Sequence, residues 1–73
     1  MLLVDELKSN PDYIITDIYN DKIRHYQLKV VYKGNIILNE SRLLGRCSGS
    51  SLVRIKHVLN CFLQGEMQQM GLL

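Results

Sequence analysis

The sequence predicts one α+β domain over residues 1–73, a three-stranded antiparallel sheet with two helices packed on one face in the order α-β-β-β-α. Three observations predict this class. The chain has 73 residues, enough for a single core. Its 47% hydrophobic content includes one Phe and no Trp, so that core must be largely Ile, Leu and Val. Apolar residues recur with period two in the middle of the chain and with helical period near its end.

The first element is a short helix near the N-terminus. Leu3, Val4 and Leu7 are spaced i, i+1 and i+4, which places them on one helical face. Asn10-Pro11 ends the helix, because the residue before proline avoids the α region. At most three turns fit, so this helix must pack on the sheet to be stable.

Three strands are predicted to follow. Residues 13–19 are rich in β-branched and aromatic residues, and residues 20–22 form a turn. Residues 24–33 alternate strictly, which predicts one buried face. The apolar members of that alternation are Tyr26, Leu28, Val30 and Tyr32.

A tight turn at residues 33–35 leads to the third strand, predicted over 36–39, and an irregular stretch follows over 40–50. Leu43 and Leu44 within that stretch either lie under the sheet edge or extend the third strand.

The last element is an amphipathic helix of about four turns. Ser50 or Ser51 is the predicted N-cap and Gly65 the predicted C-cap. Its apolar stripe is better explained as core than as a ligand site, and it consists of Leu52, Ile55, Leu59 and Phe62. The remaining tail either folds back on the core or offers an adaptable association surface. Its apolar residues are Met67, Met70, Leu72 and Leu73.

The net charge of +2 conceals an asymmetry. Residues 1–21 are acidic, with Lys8 as their one base, whereas residues 22–57 carry Glu40 as their one acid. The bases of this second block are Lys22, Arg24, Lys29, Lys33, Arg42, Arg46, Arg54 and Lys56. A basic block predicts an anionic partner, either nucleic acid or an acidic protein surface, while a solvated basic face is the plain alternative.

Cofactor, metal and membrane partners are not expected. Cys47 and Cys61 lack the spacing of a zinc site and have no companion histidines at ligand intervals. No apolar stretch is long enough to span a membrane. A reduced intracellular protein, cytoplasmic or nuclear, with a free and buried Cys61, is therefore the expectation.

The histidines give little support for catalysis. His25 begins the second strand on its wet face, and His57 lies on the polar side of the last helix. A catalytic histidine needs an orienting partner within hydrogen-bond reach. Asp17 and Asp21 are the nearest candidates for His25, across the hairpin. We therefore expect a chain that is not an enzyme.

The element order, the polar turn between the first two strands and the Ser/Gly loop before the last helix resemble the double-stranded RNA-binding domain (dsRBD). That resemblance implies RNA contacts by the first helix, by a histidine near the loop between the first two strands and by basic residues at the start of the last helix. His25 matches the histidine, although the family's preceding Gly-Pro is absent. In the stretch 49–54 only Arg54 keeps the basic character, and Ser50 and Ser51 stand where the family has paired lysines. Such departures resemble degenerate members that bind proteins or dimerise.

Three functions follow as hypotheses. The first is a non-catalytic protein-interaction module or homodimer, whose predicted contact residues are Ile36, Leu38, Met67, Met70 and Leu72. The second is nucleic-acid binding, whose predicted residues are Lys22, Arg24, His25, Arg46, Ser50, Ser51, Arg54 and Lys56. The third is a small messenger-RNA interferase toxin of the HicA type, which the chain resembles weakly and in which His25 would be catalytic.

Overall fold

The computed structural model describes residues 2–44 and 50–73, without the side chains of Ser50 and Ser51. The elements are α1 Leu3–Leu7, β1 Tyr13–Asn20, β2 His25–Tyr32, β3 Asn35–Leu43 and α2 Ser50–Gln69. The strands form one antiparallel sheet in the order β1-β2-β3. The predicted α+β class and the α-β-β-β-α order are therefore confirmed.

The core lies between one face of the sheet and the two helices. Tyr26, Leu28 and Val30 of β2 are buried there, which confirms the face predicted from their alternation. The side chains that cover them come from both helices, from β3 and from the residue after it. Among the described residues this cluster is Val4, Leu7, Tyr26, Leu28, Val30, Ile37, Leu38, Leu44, Leu59, Leu63 and Met67. Burial of these apolar side chains is the main force that holds the helices on this face.

The third strand is longer than the predicted 36–39, because it continues to Leu43. Its register with β2 shifts at a β-bulge, where Val30 faces Leu38 and Val31 faces Ile36. The extra residue, Ile37, is therefore unpaired in the register, and both Ile37 and Leu38 are buried. The bulge is what allows two consecutive residues to reach the core while Ile36 faces the opposite side.

Helix α2 also extends further than predicted. Gly65 lies inside the helix and is not the C-cap. The helix ends instead in a Schellman motif at Gly71, whose φ is +72°. The Leu72 N–H donates to the Met67 carbonyl at 2.8 Å, and the Gly71 N–H donates to the Gln68 carbonyl at 3.1 Å. This ending places Met67 in the helix and packs Leu72 against the core.

The β2–β3 turn requires left-handed backbone at two residues. Lys33 has φ +46° and Gly34 has φ +84°, the pattern of a type I′ hairpin turn. The β1–β2 turn is built differently. Its Asn20 Oδ1 accepts from the N–H groups of Lys22 at 3.0 Å and Ile23 at 3.4 Å.

The two glycines Gly34 and Gly65 should respond oppositely to the same substitution. Gly34→Ala should lower the free energy of unfolding by about 1–2 kcal/mol, because a Cβ is strained at positive φ. Gly65→Ala should raise it by about 0.5–1 kcal/mol, because alanine is the better helix former. An added Cβ at either position meets no atom within 4 Å, so the contrast is conformational. Urea unfolding of both variants measures it, and shifts of the same sign would contradict this account.

Candidate functional site

The sheet has one face covered by the helices and one open face. The strand register fixes which side chains share each face, because directly paired residues point the same way. The open face carries four rows: Ile14, Val31 and Ile36; Thr16, Lys29 and Asn39; Ile18, Gln27 and Ser41; Asn20, His25 and Leu43. In residues 2–44 and 50–73 both helices pack on the other face.

Large aliphatic side chains are exposed on the open face. Ile14 is 68% exposed, Ile18 59%, Ile36 58% and Leu43 76%. Ile14 and Ile36 flank the half-buried Val31 in a single row that crosses all three strands. Singly scattered apolar residues are ordinary on protein surfaces, but a contiguous row indicates a contact surface.

The covered face carries a polar network at the edge of the core. The Asp17 carboxylate accepts from the Tyr26 hydroxyl at 2.6 Å and from Lys8 Nζ at 2.7 Å. Lys8 also lies 3.5 Å from Asp5, and Lys56 Nζ stands 5.7 Å from the centroid of the Tyr26 ring. This network ties the residue after α1 to β1 and β2.

The ionisation of this network follows from its contacts. Burial favours the neutral form of Asp17, but the hydrogen bonds from Lys8 and Tyr26 and the nearby positive charges outweigh it, so its pKa is lowered. The hydrogen bond to Asp17 raises the pKa of Lys8. Burial, then the hydrogen bond to Asp17, raises the pKa of Tyr26. A carboxylate held in this way by two donors is a structural group, and it points away from His25.

The chain topology gathers basic residues at one end of the sheet. The Leu44 N–H donates to the Arg24 carbonyl at 2.7 Å, which joins the end of β3 to the β1–β2 turn. Arg42 is the register partner of Tyr26, over which Lys56 stands. Arg42 is itself paired with Glu40 at 2.8 Å, an exposed ion pair of small energetic value.

The predicted nucleic-acid residues do not all share one surface. Lys22 and Arg54 are exposed at the basic end, with Arg24 and Lys56 partly buried beside them. His25 lies on the open face opposite Leu43, whereas Lys56 lies over the covered face. Arg46 and the side chains of Ser50 and Ser51 lie outside the described residues.

The predicted protein-contact residues divide between surface and core. Ile36 and Met70 are exposed. Leu38 and Met67 are core residues instead, the first because of the β-bulge and the second because α2 continues past Gly65. Leu72 also packs against the core, so the tail folds back on it. Cys61 was predicted to be buried but is exposed, because it lies on the outer side of α2.

Helix α1 has five residues and is held in place by α2. The Leu3 N–H donates to Asn60 Oδ1 at 2.7 Å, so a side chain from α2 caps the first turn of α1. The exposed side of α1 presents Asp5 and Glu6. These carboxylates oppose the RNA contact that the dsRBD resemblance implies for α1, because they repel phosphate.

Residues 2–44 and 50–73 contain no group of three or more His, Cys, Asp or Glu side chains arranged to hold a metal ion. They also contain no helix long and apolar enough to cross a membrane.

Sequence reasoning missed the open-face row and the Asp17 network. Strand β1 is apolar in both phases, with Ile14 and Ile18 in one and Tyr13 and Ile15 in the other, so its alternation alone does not choose the buried face. The residue that could have revealed the network is Asp17, a carboxylate on the same side of the strand as Tyr13 and Ile15. A polar residue in an otherwise apolar phase calls for a hydrogen-bonding partner.

The lowered pKa of Asp17 predicts an acid-sensitive fold. The stability that it contributes is fully present above its unfolded pKa of about 3.9 and is lost as the pH falls below that value. The difference in urea midpoint between pH 6 and pH 3 should therefore be smaller in Asp17→Asn than in the unmodified chain. Asp12→Asn, a change in an exposed turn, is the matched control. An equal loss in Asp17→Asn and the unmodified chain would show that Asp17 does not carry the effect.

Comparison with known proteins adds no relative to this description. No family model matches the chain, and no curated protein or solved structure matches it either. The likeness to the dsRBD therefore remains a prediction from element order and a few residues.

Proposed function

We propose that this chain is a non-catalytic binding module that recognises a protein through the open face of its sheet. The observation that carries the proposal is the exposed aliphatic row Ile14, Val31 and Ile36, with Ile18 and Leu43 beyond it. Contact with a protein removes such side chains from water. Burial of one fully exposed aliphatic side chain contributes roughly 1.5–3 kcal/mol to the free energy of binding. The dsRBD-like fold is part of this proposal, since degenerate members of that family bind proteins.

A second copy of the chain and a different protein are both compatible with a protein-binding role. No strand of the described residues pairs with the outer edge of β3, so this edge offers backbone N–H and C=O groups for self-association. The exposed Val58 and Phe62 of α2 supply apolar surface on the helical layer. The proposal assigns the main contact to the open face because its aliphatic row is continuous across three strands.

Photo-crosslinking tests this role. A benzoylphenylalanine at position 18, on the open face, should form adducts with a protein in cells that make the chain. The same probe at position 64, an exposed residue of α2, is the matched control. Combining the open-face probe with Ile14→Thr and Ile36→Thr should reduce adduct formation severalfold, while threonine preserves the strand propensity. Adduct mass distinguishes a second copy from another protein.

Equal labelling from positions 18 and 64 would contradict the proposal, as would adducts that the two threonines leave unchanged. A circular-dichroism melt of the threonine variant confirms that the fold is intact. The comparison thus separates loss of contact from loss of structure.

Nucleic-acid binding at the basic end is a second candidate. The observation that favours it is the convergence of the β1–β2 turn, the end of β3 and the start of α2, which brings Arg24, Arg42 and Lys56 to one end of the sheet. The exposed Lys22 and Arg54 extend this basic end. Phosphate contacts of this kind supply most of the affinity in non-specific binding.

A short RNA duplex tests the second candidate. Its affinity should fall on the order of tenfold to a hundredfold between 50 and 200 mM salt if about three phosphates are neutralised. Lys22→Ala and Arg54→Ala should each weaken binding, whereas Lys33→Ala, at the opposite end of the sheet, should not. Fluorescence anisotropy measures all of these. Absence of binding at 50 mM salt, or an equal effect of Lys33→Ala, would eliminate this candidate.

A further inference from the structure

We infer that the partner of the open face is an acidic amphipathic helix, with a carboxylate that pairs with Lys29 and aliphatic residues on either side of it. This inference rests on the proposed protein-binding function and specifies the chemistry of the partner. Lys29 lies in the central strand, between Thr16 and Asn39. The aliphatic row of Ile14, Val31 and Ile36 is on one side of it, and Ile18 lies on the other.

The charge of the open face determines what can cover it. Lys29 is the one Lys or Arg in the four open-face rows, and none of the acidic side chains in the described residues lies in them. Asp17 and Glu40 point to the covered face, and Asp12 and Asp21 lie in turns. A partner that contacts both the aliphatic row and Ile18 lies over the ammonium group between them. Burying an ammonium group without a counter-charge is costly, so a favourable partner supplies a carboxylate there.

A second copy docked face to face does not supply that carboxylate. In a two-fold interface the same patch meets itself, so two lysines would approach one another without an acid in either face. The same charge pattern that favours an acidic partner therefore disfavours a symmetric dimer on this surface. It does not affect self-association through the β3 edge.

A nucleic acid is a poor occupant of this face as well. Binding of single-stranded nucleic acid depends on bases stacking on aromatic side chains. The tyrosines of the sheet all lie in the phase of the covered face, and they are Tyr13, Tyr19, Tyr26 and Tyr32. The open face therefore has aliphatic contacts and one ammonium group, which suit an amphipathic protein segment.

Helical spacing matches the spacing of the rows. Alternate residues of a strand are about 6.6–6.8 Å apart, so Lys29 lies about that distance along the sheet from the row of Val31. Residues i and i+4 of a helix are about 6 Å apart along its axis. A partner helix that lies along the strands can therefore place a carboxylate at its position i opposite Lys29. Its aliphatic residues at i−4 and i+4 then contact Val31 on one side and the row of Ile18 on the other.

A charge-swap titration tests the inference. The first probe is a synthetic helical peptide, built on an alanine and glutamine background, with leucine at i−4 and i+4 around a central glutamate. The second probe has lysine in place of that glutamate. The full chain should bind the glutamate peptide roughly tenfold more tightly than the lysine peptide, because a close interfacial charge pair is worth at least that factor. Amide chemical shifts measure the affinity and should change on the open face.

The Lys29→Glu variant should reverse the preference and bind the lysine peptide more tightly. Lys29→Gln should abolish the preference, and its unchanged melting curve would exclude unfolding as the cause. Equal affinity for the two peptides, failure of Lys29→Glu to reverse the order, or no binding of either peptide would each overturn the inference. Binding to phosphatidylserine vesicles that Lys29→Glu abolishes, without peptide discrimination, would overturn it in favour of a lipid surface.

The result of the peptide titration is independent of the photo-crosslinking result. Protein adducts at position 18 without peptide discrimination would leave the protein-binding role standing and remove only the acidic helix. Absence of those adducts would remove the protein-binding role itself.

Discussion

Burial of Tyr26, Leu28 and Val30 between the sheet and α2 is the constraint on which the rest of the structure depends. These residues belong to β2, the central strand of the sheet, and each is at most 1% exposed. Because side chains alternate along a strand, burying this phase of β2 forces His25, Gln27, Lys29 and Val31 to the opposite face. The register then carries that choice to β1 and β3. The composition of the open face is thus a consequence of how the core is packed.

The helices in the described residues cover one face of the sheet. Residues 2–44 and 50–73 form one long helix and one of five residues, and both pack on the same core. Even the short helix depends on others, through the Asn60 cap at its start and the Lys8–Asp17 hydrogen bond after its end. A domain of this size buries only about 60% of the surface of its unfolded chain, so much apolar surface stays in contact with water. The exposed aliphatic row is the part of that surface that we propose a partner covers.

Sequence patterns predicted the elements that have a single dominant period. The alternation in β2 placed its buried face correctly. The stripe predicted in α2 was right for Leu59 but wrong for Phe62, which is 47% exposed while its neighbour Leu63 is buried. Prediction also failed where the local backbone differed from the predicted one and brought other side chains into the core. The bulge at Ile37 moved Leu38 into the core, and the continuation of α2 through Gly65 did the same for Met67. Neither the bulge nor the longer helix is marked by a particular residue. Gly65, for example, is as consistent with a helix end as with a position inside a helix.

The candidate site was harder to predict than the fold because it consists of the side chains that do not pack in the core. A basic block in the sequence suggests one binding surface, yet the strands divide its members among several. Lys29 lies on the open face, Lys33 lies in a turn, and Lys56 lies over Tyr26 on the covered face. Charge counted along the chain therefore overstates the charge available to any one partner. On the open face that charge is a single ammonium group beside aliphatic side chains, and we propose that such a surface discriminates partners by the position of one carboxylate rather than by total charge.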